Sequence, residues 1–159
     1  MICGAFWNLS RLSKHMSKII WELPLKTVSE SNCSEHWTKK SKRHKQQQFF
    51  IRSLFSHEAQ EIPIPCIVKM IRIGPRFLDK DDNLPMSFKW IKDEISECLF
   101  PDKRGSYLNK QGKIRFIKGR ADDSPLVKWE YDQEKSKIQG IRIEISSLSL
   151  VEPLNIGHV

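Results

Sequence analysis

The sequence is short of the features that mark membrane, exported or metal-finger proteins. No apolar run in its 159 residues approaches the ~20 residues that a spanning helix needs. The opening MICGAFWNLSRLSKH has no basic segment followed by an apolar core, so an export signal is not expected and a cytoplasmic location is. Cys3, Cys33, Cys66 and Cys98 lie about thirty residues apart, with no CxxC pair and no histidine at ligand spacing. That argues against a zinc site or a disulfide framework and for reduced thiols. Internal repeats and low-complexity tracts are absent. Acidic residues are also in short supply, 19 against 27 Lys and Arg, giving a formal charge of +8 and a pI near 9.4. An imbalance of this size suits a polyanionic partner, and without a lipid-facing stretch nucleic acid is the first choice.

At this length one domain with an ordinary core is expected. Residues 1–17 are poorly patterned and include a second methionine, Met16; the first fifteen read as an appendage or the product of an upstream start. The domain runs from 18 to 150, with a tail at 151–159. KIIWELPL, Lys18 to Leu25, predicts a strand ended by Pro24. A polar loop with Asn32, His36 and Trp37 follows, then a helix from about Ser34 to Phe55. Its basic face carries Lys39, Lys40, Lys42, Arg43, Lys45 and Arg52, and Phe49, Phe50, Leu54 and Phe55 are expected to turn inward. EIPIPCIVKMIRI predicts a second strand whose inward face the alternation leaves open, stopped by Gly74 and Pro75.

Arg76 and Phe77 deliver the chain to Asp79, Asp81, Asp82 and Asn83, just past the carboxyl end of a strand, where α/β sheets favour ligand sites. Leu84, Phe88, Ile91, Ile95 and Leu99 then form an apolar stripe that predicts one helix over 84–99, with Pro85 in its first turn and Asn83 or Asp82 as N-cap. Lys89 and Asp93 lie one turn apart on its flank, spaced to pair. Residues 100–121 are basic and glycine-spotted, with a short hairpin expected around KQGK and a substrate-contacting role for the arm that ends at Arg120. After Asp122, Asp123 and Ser124, LVKWEYDQEK and IRIEISSL alternate as strands and are expected to form an antiparallel hairpin. The fold class is α+β, a mixed sheet of about four strands with two main helices.

Carboxylates packed as densely as Asp79, Asp81 and Asp82 repel one another unless a cation sits among them. Magnesium is held by one or two carboxylates plus substrate phosphate, and it supplies an activated water and charge relief in phosphodiester hydrolysis. Asp82 and Asp123, with Asp79 or Asp81, form a candidate ligand set, and Lys89 a fixed positive charge for the phosphate. The ordinary alternative is that these aspartates cap a helix and shape turns.

DKDDNLPMSFKWIKDEI followed by RADDSPLVKWEYDQEK resembles the RusA-like family of Holliday junction resolvases. That family's signature is a D-x-D-N stretch entering a helix with a lysine and a further aspartate, then a D-D-S segment leading into a strand. LPLKTVSESNCSEHW is similar to its entry strand and loop, and the likeness covers roughly residues 18–146. Carried over, the catalytic set is Asp82, Asp123 or Asp122, and Lys89; the first aspartate of the signature falls on Lys80, leaving Asp79 or Asp81 to serve. The resemblance implies a magnesium-dependent homodimer, with manganese as a substitute, that resolves four-way double-stranded DNA junctions. DNA contacts would come from Asn32, His36, Lys39, Lys40, Arg43, Arg76 and Arg120, and neither a membrane nor a small-molecule cofactor is implied. The rival expectations are a non-cleaving DNA-binding member of the same fold and a basic protein-interaction module.

Overall fold

The structure is a computed structural model that describes residues 18–31, 33–57, 62–101, 105–117 and 122–148. The expected extension at 1–17 and tail at 151–159 lie outside the described residues. The described chain runs β1 (Ile19–Leu23), α1 (Trp37–His57), β2 (Cys66–Gly74), α2 (Asn83–Ser87), α3 (Lys89–Leu99), β3 (Gly105–Leu108), β4 (Ile114–Ile117), β5 (Val127–Lys135) and β6 (Gly140–Ser147). This is α+β, as composition and pattern predict.

Four strands form one mixed sheet in the order β1-β6-β2-β5; β6 is antiparallel to both β1 and β2, and β2 runs parallel to β5. The expected β5–β6 hairpin is therefore corrected. The link at 136–139 crosses the end of β2, where the Ser136 N–H donates to the Gly74 carbonyl at 2.9 Å, and β2 lies between the two strands. Alternation sets the faces. Ile19 and Trp21, Val68 and Met70, and Ile141, Ile143 and Ile145 point into one core, settling the inward face of β2. The opposite face is a charged lattice: Lys69 to Asp132 at 2.9 Å, Lys18 to Glu144 at 2.8 Å, and Arg142 to Glu22 at 2.7 Å and to Glu134 at 2.6 Å.

The helices cover the apolar face. From α1, Ile51 is fully buried and Phe50, Leu54 and Phe55 pack against the core, Phe55 edge-on to Trp21 at 5.0 Å. Phe49, expected inward, is 67% exposed, because the buried stripe runs through His44, Gln47 and Ile51. α1 also begins at Trp37 rather than Ser34. The single helix expected over 84–99 is two: Phe88 (φ −101, ψ 0) separates α2 from α3 and donates its N–H to the Pro85 carbonyl at 3.0 Å. The apolar stripe survives the break, with Leu84, Phe88, Ile91, Ile95 and Leu99 all buried. β3 and β4 form the hairpin expected at KQGK, turned by Gly112 in the left-handed region (φ 71) and by Asn109, whose side-chain oxygen accepts from Gln111 N–H and Lys113 N–H. No described helix is long and apolar enough to cross a membrane.

Candidate functional site

The acidic loop leaves β2 and is tied down on two sides. Gln133 on β5 mimics a backbone unit: its Oε1 accepts from Leu78 N–H and its Nε2 donates to the Leu78 carbonyl, both at 2.8 Å. On the other side, Ser29 Oγ donates to Asn83 Oδ1 at 2.7 Å. Between these anchors Asp79 Oδ1 accepts from Asp81 N–H at 3.1 Å, a local turn that spends part of the Asp79 carboxylate. Asp82 sits at the N-cap of α2 but makes no side-chain capping bond, so capping does not account for its side chain. Asp79, Asp81 and Asp82 are exposed.

The downstream segment meets the helix one break later. Lys92 Nζ on α3 lies 3.2 Å from Asp122 Oδ2, and the Trp129 indole N–H donates to the Asp122 carbonyl at 3.0 Å. Lys92 also sits over the Trp129 ring, 5.3 Å from its centroid. Asp93 stands beside this pair: burial first, then the Asp122 charge, push its carboxyl above the usual range, although Lys89 and Lys92 pull the other way. Tyr131 is pushed up by the same influences, burial ahead of Asp122 and Asp93. Its ring lies 6.1 Å from that of Phe88, the residue at the helix break.

The sequence-expected residues are thus divided. Asp122 reaches α3, Asp123 beside it is exposed, and Lys89 opens α3 as an exposed residue with its ammonium 5.9 Å from the Trp90 ring. Among the described residues, no three of His, Cys, Asp and Glu gather into a group that could hold a metal ion. Asp79, Asp81, Asp82, Asp122 and Asp123 thus belong to no such group of three. Asp122 instead pairs with Lys92 on α3, where its charge acts on Asp93. Asp93, Lys92 and Tyr131 are additions that the candidate site gains from the fold; the one local sign of them was the one-turn spacing of Lys89 and Asp93.

The basic face of α1 is also revised. Glu30, just ahead of the helix, takes Lys40 at 2.7 Å, Arg43 at 2.8 Å and His44 at 3.0 Å, while Glu35 takes Arg43 at 3.0 Å. Burial alone would raise the Glu30 carboxyl, but the hydrogen bonds from Lys40, Arg43 and His44 together outweigh it and hold the group down at about 2. Lys40 and Arg43 are thus ion-paired with carboxylates of the loop before the helix, Lys40 remaining partly exposed. His36 and Lys39 are exposed, His36 bonding Thr38 Oγ1 at 2.9 Å, and exposed Arg76 accepts a bond from Arg72 through its carbonyl. Asn32 and Arg120 lie outside the described residues. Comparison with protein-family models, with curated proteins and with solved structures returns no match for the chain.

Proposed function

We propose that the chain is a magnesium-dependent, structure-selective DNA endonuclease of the RusA-like type, acting on four-way junctions as a homodimer. One observation supports it most: a carboxylate from the loop before β5, Asp122, packs onto α3 beside Asp93, Lys89 and Lys92. Two carboxylates close enough to raise the proton affinity of one of them suit a divalent cation held by one or two protein groups plus substrate phosphate. Asp93 and Asp122 would hold magnesium, which when bound supplies an activated water and charge relief at the phosphate. Lys89, exposed at the start of α3, would meet the phosphate itself, and the anchored loop would present Asp82 alongside. Two-fold pairing makes physical sense because two related strands must be cut and one chain offers a single such site.

The test is cutting of a synthetic four-way junction with and without magnesium, by the wild type, Asp93→Asn and Asp122→Asn. Magnesium-dependent cutting lost in both variants supports the proposal; cutting that survives in both removes the pair from the mechanism. A second reading, a non-cleaving DNA-binding module, draws on the Lys92–Asp122 contact, which already neutralises one carboxylate. Salt-dependent junction binding without cutting by the wild type selects it.

A further inference from the structure

Arg72 leaves the end of β2 and faces a cavity of about 390 Å³ lined by Lys26, Thr27, Val28, Ser29, Arg72, Leu78 and Asn83. The two basic side chains in that lining are accompanied by no carboxylate. This contrasts with Arg43, Arg52 and Arg142, each of which meets glutamates. Arg72 makes no ion pair among the described residues; its one hydrogen bond runs from Nη1 to the Arg76 carbonyl at 2.6 Å, and its buried Nε has no partner. Burial pulls its pKa below the usual arginine range with no acid opposing. A half-buried guanidinium with one hydrogen bond, to a carbonyl, and no acidic partner keeps donor capacity that an anion in the cavity would satisfy.

We propose that this cavity is a phosphate-binding site, with Arg72 as its principal ligand and Lys26 as the second cation. The guanidinium fork matches two oxygens of one phosphate, and a group carrying up to two negative charges suits two cations better than a single carboxylate does. Thr27 and Ser29 line the same space, with the Ser29 hydroxyl donating to Asn83 Oδ1. Gly74 leaves the guanidinium room to lie where it does: a Cβ there would stand 3.2 Å from both of its terminal nitrogens. Neither Asp93 nor Asp122 lines the cavity, and the proposal holds whether or not the chain cuts DNA. The phosphate could belong to a nucleic-acid backbone or to a free small anion.

Titration of the full chain with inorganic phosphate, with dTMP and with a short oligothymidylate separates these sources. Saturable binding of phosphate and dTMP as tight as that of the oligomer identifies a small anion; binding of the oligomer alone identifies a backbone. In either case Arg72→Gln is expected to weaken binding roughly ten- to a hundredfold. Arg72→Lys, which keeps charge but loses the fork, is expected to fall between. Arg72→Gln gives up one hydrogen bond, to the Arg76 carbonyl, and no ion pair, so a folded variant melting close to the wild type is expected, and Lys26→Gln gives a second, exposed variant should it fail to fold. Lys137→Gln, basic and outside the cavity, is the control. No saturable binding of any probe, or wild-type affinity in both Arg72→Gln and Lys26→Gln, overturns the proposal.

Discussion

Lys92 Nζ on α3 stands 3.2 Å from Asp122 Oδ2 in the loop before β5. This contact brings the downstream acidic segment to α3, the helix that also carries Lys89 and Asp93. Its consequence is a local imbalance: burial first, then the Asp122 charge, raise the Asp93 carboxyl above the usual range, and neither Lys89 nor Lys92 fully offsets them.

The imbalance predicts that Asp93→Asn stabilises the protein. A carboxyl whose folded pKa is raised above its unfolded value costs stability once the pH exceeds the unfolded value, so removing the charge should gain at neutral pH and gain nothing near pH 3. With Asp93 only partly buried, the gain should be on the order of 1 kcal/mol or less, a rise of roughly 2–4 °C in Tm at most. Thermal melts at pH 7.5 and pH 3 measure it. Loss of junction cutting in the same, more stable variant would separate function from folding, and a lowered Tm at pH 7.5 would contradict the imbalance.

Glu30 predicts the opposite pH dependence. Its folded pKa of about 2 lies below the ordinary 4.5, so its contribution is present above pH 4.5 and is lost as the pH falls toward 2. Glu30→Gln should cost on the order of 2 kcal/mol at pH 7 and lose most of that difference at pH 2–3. Arg43→Ala should cost about 1–2 kcal/mol, because Glu30 loses its guanidinium partner but keeps Lys40 and His44. Denaturant melts across that range check both. If Arg43→Ala instead leaves stability intact and weakens DNA binding, the basic face belongs to DNA after all.

Local pattern made much of this legible. Residues suited to a pleated surface located β1, alternation located β2, β5 and β6, the KQGK turn located the β3–β4 hairpin, and the stripe from Leu84 to Leu99 located the helical region of α2 and α3. Long-range pairing was hidden: a four-residue link between β5 and β6 looks like a hairpin, and nothing in either strand says that β2 lies between them. The break at Phe88 was hidden for a related reason, since the turn keeps the apolar residues in phase. The charges of α1 were legible only as a count, because the carboxylates that claim Lys40 and Arg43 belong to the loop before the helix.

Phe88 is the hinge of that arrangement and is fully buried. Phe88→Ala should cost about 3–5 kcal/mol, from lost burial and the cavity left beside Tyr131 and the core. Phe88→Leu should recover more than half. Gln133→Ala, which removes only the two bonds to Leu78, should cost roughly 1–3 kcal/mol. Urea midpoints order the three, and a Gln133→Ala loss larger than that of Phe88→Ala would show that the loop anchor, not the buried ring, holds the site together.

Lys92 offers the sharpest test of the metal. Its ammonium already pairs with Asp122 Oδ2, so lysine and a divalent cation would compete for one carboxylate. Lys92→Met, which keeps much of the packing over Trp129, should lower stability by on the order of 1 kcal/mol in EDTA, because it leaves Asp93 and Asp122 facing each other without that counter-charge. Manganese should then restore more stability to the variant than it adds to the wild type, since binding to the folded state alone raises Tm by mass action. Adding Asp122→Asn to Lys92→Met should abolish the manganese effect. Melts of the three proteins with EDTA and with manganese decide it: a variant that is destabilised but indifferent to the ion would leave the Lys92–Asp122 contact a structural ion pair and remove the metal from the proposed site.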